Sequence, residues 1–268
     1  MRQTVKASTM RDMVATRRLK LGTFVVEFDS PGMGQILAAA GCEFAIIDME
    51  HSGFDYDGLK RMLRYYQAAG VPAIVSTAVG DCDVIARACD MGADAIQPAK
   101  VSSAEEAKLM LSFMRYPPRG RRGVALGIAH GRYRPGDTAA KLRRANRETI
   151  FFPKIETCRG IDNVEAIAAR DGVAGIWIGH FDLSIDMGIP AKFDDPEFAA
   201  AMKRVARACR KHGISLGRIA EQVETGLALN RMGFDFLCYS GDIWLLRNAL
   251  KEGLDRLCAE CRKVKRRD

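Results

Sequence analysis

Two carboxylates stand where short apolar runs end. Glu156 closes the run Ile150–Glu156, and Asp182 follows the run Gly175–Gly179 by three residues. Hard oxygen donors of this kind, completed by water and substrate oxygens, suit Mg2+ or Mn2+, which often take only one or two protein carboxylates. Co2+ and Zn2+ are the softer alternatives. His51 stands beside acids in Asp48-Met49-Glu50-His51. Oriented by a carboxylate, such a histidine can serve as a general base near neutral pH. Lys100, Lys154 and Arg218 add cations at neighbouring strand ends. Each residue also has a structural reading. Asp182 could cap the helix that opens at Leu183-Ser184, either carboxylate could pair with an arginine, and His51 could be a satisfied structural histidine.

The elements that must position these groups repeat along the chain. Expected strands are Leu21–Phe28, Glu43–Met49, Pro72–Ala78, Ala95–Pro98, Ile150–Glu156, Gly175–Gly179, Ser215–Ile219 and Phe236–Ser240. Continuous apolar runs such as Phe44-Ala45-Ile46-Ile47 suit strands buried on both faces of a parallel sheet. Amphipathic segments lie between them: Gly32–Ala40, Asp57–Ala69, Asp83–Met91, Ala104–Arg115, Thr138–Arg147, Asp162–Ala169, Pro196–Lys211, Gln222–Met232 and a terminal Trp244–Val264. Gly41, Gly70 and Gly92 follow three of them as stop signals. Ser103 and Glu106 form a capping box. Tyr116–Arg134 breaks the rhythm with Pro117-Pro118 and repeated Gly and Arg, the pattern of a long functional loop. Eight βα units predict one (β/α)8 TIM barrel domain over residues 1–268, with active groups at the carboxyl ends of the strands. An open doubly wound sheet is the runner-up, but no G-x-G-x-x-G follows the first strand, which argues against dinucleotide binding.

Composition narrows the function classes. The chain has 268 residues, 48% hydrophobic and 28% charged, and a formal net charge of +8. No apolar run reaches the ~20 residues of a membrane span. The basic N-terminus lacks an apolar core, so a secretory signal is not expected and a cytoplasmic location is. Only 7% of residues are aromatic and no groove-reading motif is present, which argues against nucleic acid. The eight cysteines are scattered; Cys258-x-x-Cys261 is a lone pair without a second metal-ligating pair.

Several stretches together resemble the HpcH/HpaI aldolase family, the metal-dependent class II pyruvate aldolases that include 2,4-dihydroxyhept-2-ene-1,7-dioate aldolase. They are Ile47-Asp48-Met49-Glu50-His51, Asp90-Met91-Gly92-Ala93, Arg115-Tyr116-Pro117-Pro118-Arg119-Gly120-Arg121-Arg122-Gly123-Val124, Ile155-Glu156-Thr157 and Ile178-Gly179-His180-Phe181-Asp182-Leu183-Ser184. The resemblance implies that Glu156 and Asp182 ligate the metal, His51 belongs to the catalytic base, Asp90 orients it, and Asp48 is a further acid beside the site. It implies cleavage or formation of a 4-hydroxy-2-oxo acid through a pyruvate-type enolate, with a small 2-oxo acid and an aldehyde as partners. It also implies a homo-oligomer, a hexamer of dimers that swap the C-terminal helix. The alternatives are a citrate lyase-like enzyme acting on acyl thioesters of CoA, and a barrel that binds 2-oxo acids without turnover.

The chain departs from the family pattern at the substrate. Ser76 stands where the family usually carries arginine at the end of the third strand, Lys154 where glutamine is usual, and His180 where proline or a neutral residue is usual. Serine carries no charge and cannot reach as far as arginine. The expected substrate-binding set is therefore Ser76, Lys154, His180, Phe181 and Arg218, with the cationic function moved from position 76 to Lys154 or Arg218.

Overall fold

The computed structural model describes residues 8–80 and 82–264. Its nine strands form one parallel sheet: β1 Lys20–Val25, β2 Phe44–Asp48, β3 Ala73–Thr77, β4 Ala95–Pro98, β5 Ile150–Phe151, β6 Lys154–Ile155, β7 Gly175–Ile178, β8 Ser215–Ala220 and β9 Phe236–Gly241. The order is β5-β4-β3-β2-β1-β9-β8-β7-β6. β5 and β6 are two halves of the single expected strand Ile150–Glu156. Pro153, which has no N–H to give a ladder, separates them. The sheet curls until this segment pairs on both sides: Phe151 faces Ile96 of β4 and bridges Val173 before β7. The result is the TIM-barrel-like α/β architecture expected from the rhythm of the sequence.

Helices cover the outside. They are α1 Met10–Val14, α2 Met33–Ala40, α3 Tyr56–Ala69, α4 Cys82–Asp90, α5 Ala104–Met114, α6 Thr138–Glu148, α7 Cys158–Asp162, α8 Val164–Ala168, α9 His180–Asp186, α10 Pro196–His212, α11 Val223–Met232 and α12 Asp242–Val264. The expected helix Asp162–Ala169 is two short helices meeting at Asn163, whose side chain donates to Ser102 O at 2.9 Å. β1 ends three residues early, because Asp242 draws the N–H groups of Val26, Glu27 and Phe28 out of the ladder. The capping box at α5 is half present. Ser103 Oγ accepts the Glu106 N–H, but the Glu106 carboxylate takes the Ser102 N–H at 2.7 Å. Tyr116–Arg134 is irregular apart from one turn of 3-10 helix at Ala129–Gly131, the long loop that its prolines and glycines predict.

Alternation along each strand decides which side chains face the barrel axis. Phe44, Ile46, Ile74, Ala95, Phe152, Trp177, Phe236 and Cys238 form the inner cluster, which Met10 and Met13 of α1 close at the amino end. Phe236 packs on Phe44 and Phe152 at centroid distances of 5.2 and 5.1 Å. Ala45, Ile47, Ala73, Val75, Ile96, Ile155, Ile176, Ile178, Leu216 and Leu237 face the helices. The same parity sends Asp48, Ser76, Gln97, Lys154 and Glu156 inward at the carboxyl ends. Arg218, between Leu216 and Ala220, is sent outward.

Candidate active site at the carboxyl end of the barrel

Register builds the site. Asp48 pairs with Ser76 and Ser76 with Gln97, so three polar side chains stand side by side on β2, β3 and β4. All three are buried, Gln97 to 1% exposure. Asp48 holds its own loop: Oδ1 accepts the Glu50 N–H at 3.1 Å and Oδ2 the His51 N–H at 3.0 Å. That tie places Glu50 over the mouth and leaves His51 at the rim, its side chain 70% exposed and Nε2 3.8 Å from Glu50 Oε1.

Lys154 reaches across from β6. Its Nζ lies 2.6 Å from Glu50 Oε2, 3.4 Å from Glu156 Oε1 and 3.4 Å from Ser76 Oγ. Burial, the largest single influence, pushes its pKa down, but Glu156 and Glu50 together outweigh it and hold the ammonium above the usual lysine value. Burial raises the Glu156 carboxyl, only partly countered by Lys154 and by the Lys100 N–H, which donates to Oε2 at 2.8 Å. Of the two cations expected to take over at position 76, Lys154 reaches Ser76 Oγ and Arg218 does not.

Glu156 lies flat against Gly179. A Cβ there would stand 2.0 Å from Glu156 Oε1, so only glycine admits the carboxylate. From Gly179 the chain turns into α9, whose first turn carries Asp182. Asp182 is not the N-cap of this helix. Its Oδ1 faces Lys100 Nζ at 3.3 Å, and its charge helps raise Glu156. Among the described residues no group of three or more His, Cys, Asp or Glu side chains is set to hold a metal. The pair Glu156 and Asp182 nevertheless suits a hard divalent cation, which needs only one or two protein carboxylates. The surrounding charge agrees, with four acids (Asp48, Glu50, Glu156, Asp182) against two ammonium groups.

Four other expected residues lie beyond this cluster. Arg218 stacks its guanidinium over Phe193, in the segment before α10, and Phe198 of α10, 5.2 and 5.5 Å from their centroids. Burial, opposed only by Glu221, pushes its pKa down to about 10, which still leaves it charged at neutral pH. His180 is buried and hydrogen-bonded to Glu221, and burial lowers its pKa. Phe181 is half exposed and packs its ring on His180 and Phe193. His180, Phe181 and Arg218 thus form one aromatic corner beside the mouth. Asp90 ends α4, which runs back toward the amino end of the barrel, and Arg122 Nη2 grips it at 2.6 Å. His51 lies beyond the opposite end of the strands, a strand length of roughly 10 Å or more away. One chain does not bring Asp90 to His51.

Glu50, Gln97, Gly179 and Glu221 complete the picture and were not among the expected site residues. Strand parity could have found Gln97, a polar residue at an inward position of Ala95–Pro98. Nothing in the sequence alone singles out Glu221.

A model of the HpcH/HpaI aldolase/citrate lyase family matches residues 20–249. The hydroxypyruvate/pyruvate aldolase of Chromohalobacter salexigens is 32% identical over 222 residues, 83% of this chain and 87% of that protein. The 2-dehydro-3,6-dideoxy-6-sulfogluconate aldolase of Pseudomonas putida is 28% identical over 240 residues, 90% of this chain and 93% of that protein. The crystal structure of an HpcH/HpaI aldolase from Desulfitobacterium hafniense superposes with a TM-score of 0.87 at 25% identity, covering 93% of this chain and 96% of that one. With that match running through every strand of the barrel, the chain belongs to the HpcH/HpaI aldolase/citrate lyase family.

Proposed function

We propose that this protein is a divalent-metal-dependent aldolase that cleaves or forms a 4-hydroxy-2-oxo acid through a pyruvate-type enolate. The observation that carries the reading is that Lys100 touches both Glu156, through its backbone N–H, and Asp182, through Nζ, at a mouth that also holds the buried Lys154 ammonium. Names of relatives support it: hydroxypyruvate/pyruvate aldolase and 2-dehydro-3,6-dideoxy-6-sulfogluconate aldolase both act on 2-oxo acids. Glu156 and Asp182 would hold Mg2+ or Mn2+. A cation bound there supplies Lewis acidity to the substrate's carboxylate and oxo oxygens.

The chain's own residues do the rest. In cleavage the C3–C4 bond breaks and its electron pair becomes the C2–C3 double bond, while the oxo π pair moves on to the C2 oxygen. His51, exposed at the rim, accepts the proton of the C4 hydroxyl as the aldehyde leaves. Asp48 fixes the loop that presents His51. His180, packed on Phe181 and Phe193, would wall one side of the entrance.

Two features point to an oligomer. Asp90 orients a histidine only if that histidine belongs to a neighbouring chain. The exposed Leu246, Leu250, Leu254 and Leu257 form one stripe along α12. A cavity of about 470 Å³ between α2 and α11, lined by Leu19, Leu37, Val223 and Leu227, is open to receive such a stripe. A dimer that swaps α12, built up into a hexamer, satisfies both.

The test is synthesis. Purified protein with pyruvate, Mg2+ or Mn2+ and a panel of short aldehydes should yield 4-hydroxy-2-oxo acids, read by mass spectrometry. Turnover of acyl-CoA thioesters with no aldol product would transfer the assignment to the citrate lyase side of the family.

A further inference from the structure

Gln97 faces the mouth with a side-chain donor that has no partner among the described residues. Its Nε2 is fully buried and makes no hydrogen bond, in a residue only 1% exposed. Burying an amide donor without a partner is costly. A leucine would fill the same inward position at no such cost, since barrel interiors are normally packed with branched apolar residues.

Its surroundings say what the donor faces. Ser76 is its register partner on β3, and Lys154 projects from β6 on the other side of β4. Lys154 Nζ nevertheless lies 3.4 Å from Ser76 Oγ, so the ammonium crosses in front of the strand that carries Gln97. The ammonium is held closely only by Glu50, at 2.6 Å; its contacts to Glu156 and Ser76 are both 3.4 Å. An unpaired N–H and a cation with one close partner thus share one dry corner, next to Glu156. An oxygen that gains negative charge satisfies both at once. A cation or a hydrocarbon satisfies neither.

We propose that Gln97 and Lys154 are the donor pair that receives the C2 oxo oxygen of the substrate and stabilises it as an enolate. Gln97 donates an amide N–H and Lys154 its ammonium, in a site too dry for water to compete. The inference rests on the enolate reading given above. When the methyl group of pyruvate exchanges, a C3–H bond breaks and its electron pair forms the C2–C3 double bond. The carbonyl π pair moves on to the oxygen between the two donors, and the proton passes to the base, to be replaced from solvent.

Gln97→Leu in the full-length protein tests the pair. With Mn2+ present, exchange of pyruvate methyl protons in D2O is followed by NMR, oxalate binding by calorimetry, and unfolding by heat. The expected result is a fall of tenfold or more in exchange kcat, a matching loss of oxalate affinity, and a melting temperature unchanged or higher. Exchange within twofold of wild type, with oxalate affinity unchanged, would overturn the proposal. Lys154→Met should lose about a hundredfold in kcat, and Lys154→Arg should recover part of it. If the wild type itself exchanges nothing, the enolate reading fails; oxalate binding that still weakens in Gln97→Leu would keep the donor assignment, and oxalate binding that does not would end it.

Discussion

Both ends of this barrel bury a lysine, and the two are treated in opposite ways. At the amino end Lys20 is wholly enclosed. Its Nζ meets Asp235 Oδ2 at 2.9 Å and the Thr16 carbonyl, above the Phe236 ring. Asp235 is saturated in turn by Ser215 Oγ at 3.0 Å, the Leu216 N–H at 2.7 Å and Arg17 at 3.2 Å. Burial dominates there and pushes the Lys20 pKa down. At the carboxyl end Lys154 faces two acids with Asp48 nearby, and its pKa is held up instead. Carboxylates are in surplus there, and Gln97 Nε2 has no partner. A closed network ties strand ends together; an open one waits for a ligand. In barrels of this kind the amino face serves stability and the carboxyl face chemistry.

The comparison predicts mutational effects of different kinds at the two ends. The largest is at the mouth: Glu156→Ala should reduce pyruvate turnover by about a thousandfold. Its urea midpoint should stay near that of wild type, because Lys154 keeps Glu50. At the closed end Asp235→Ala should cost about 3–5 kcal/mol by leaving a buried ammonium unpaired. Activity per folded molecule, measured well below the new melting temperature, should not change. Loss of turnover without loss of stability at Asp235 would erase the distinction between the ends.

A third test uses pH. Asp94, at the foot of β4, accepts the Ala73 N–H at 3.0 Å, and burial, only partly countered by that bond and by Arg132, raises its pKa to about 6. The folded state therefore binds this proton more tightly than the unfolded chain. The stability it gives is full below pH ~4 and is lost as pH rises through 6. Asp94→Asn removes that loss, so the variant should be more stable than wild type at pH 8 by roughly 1–3 kcal/mol. The gap should narrow at pH 5, as read from urea midpoints at the two values. The smallest effect is expected at Arg218, which faces the helix layer: Arg218→Met should change turnover less than threefold.

These contrasts show what a linear reading could and could not supply. The barrel was legible because continuous apolar runs and glycine-terminated helices repeat in a fixed rhythm. That Glu156, Asp182 and His51 lie at the carboxyl ends of the strands was legible because they close or follow those runs. Side-chain direction was not. Lys154 and Arg218 read alike as cations at strand ends, yet one points to the axis and the other to Phe193, because their parities differ. Parity counted from Leu216 would have separated them. The position of Asp90 was hidden for another reason. A motif match carries no information about which end of the barrel a helix terminus reaches, and α4 carries Asp90 to the end opposite His51. Pro153 could have warned that Ile150–Glu156 breaks in two. The partner of His180, Glu221, lies 41 positions away and meets it only because β7 and β8 are neighbours.

The measurement that bears most directly on the account is incorporation of deuterium into the methyl group of pyruvate, followed by NMR with Mg2+ or Mn2+ and with EDTA. The account predicts exchange that requires the cation, stops with EDTA and is lost in Glu156→Ala. Exchange that continues unchanged in EDTA, or no exchange with any divalent cation, would contradict it.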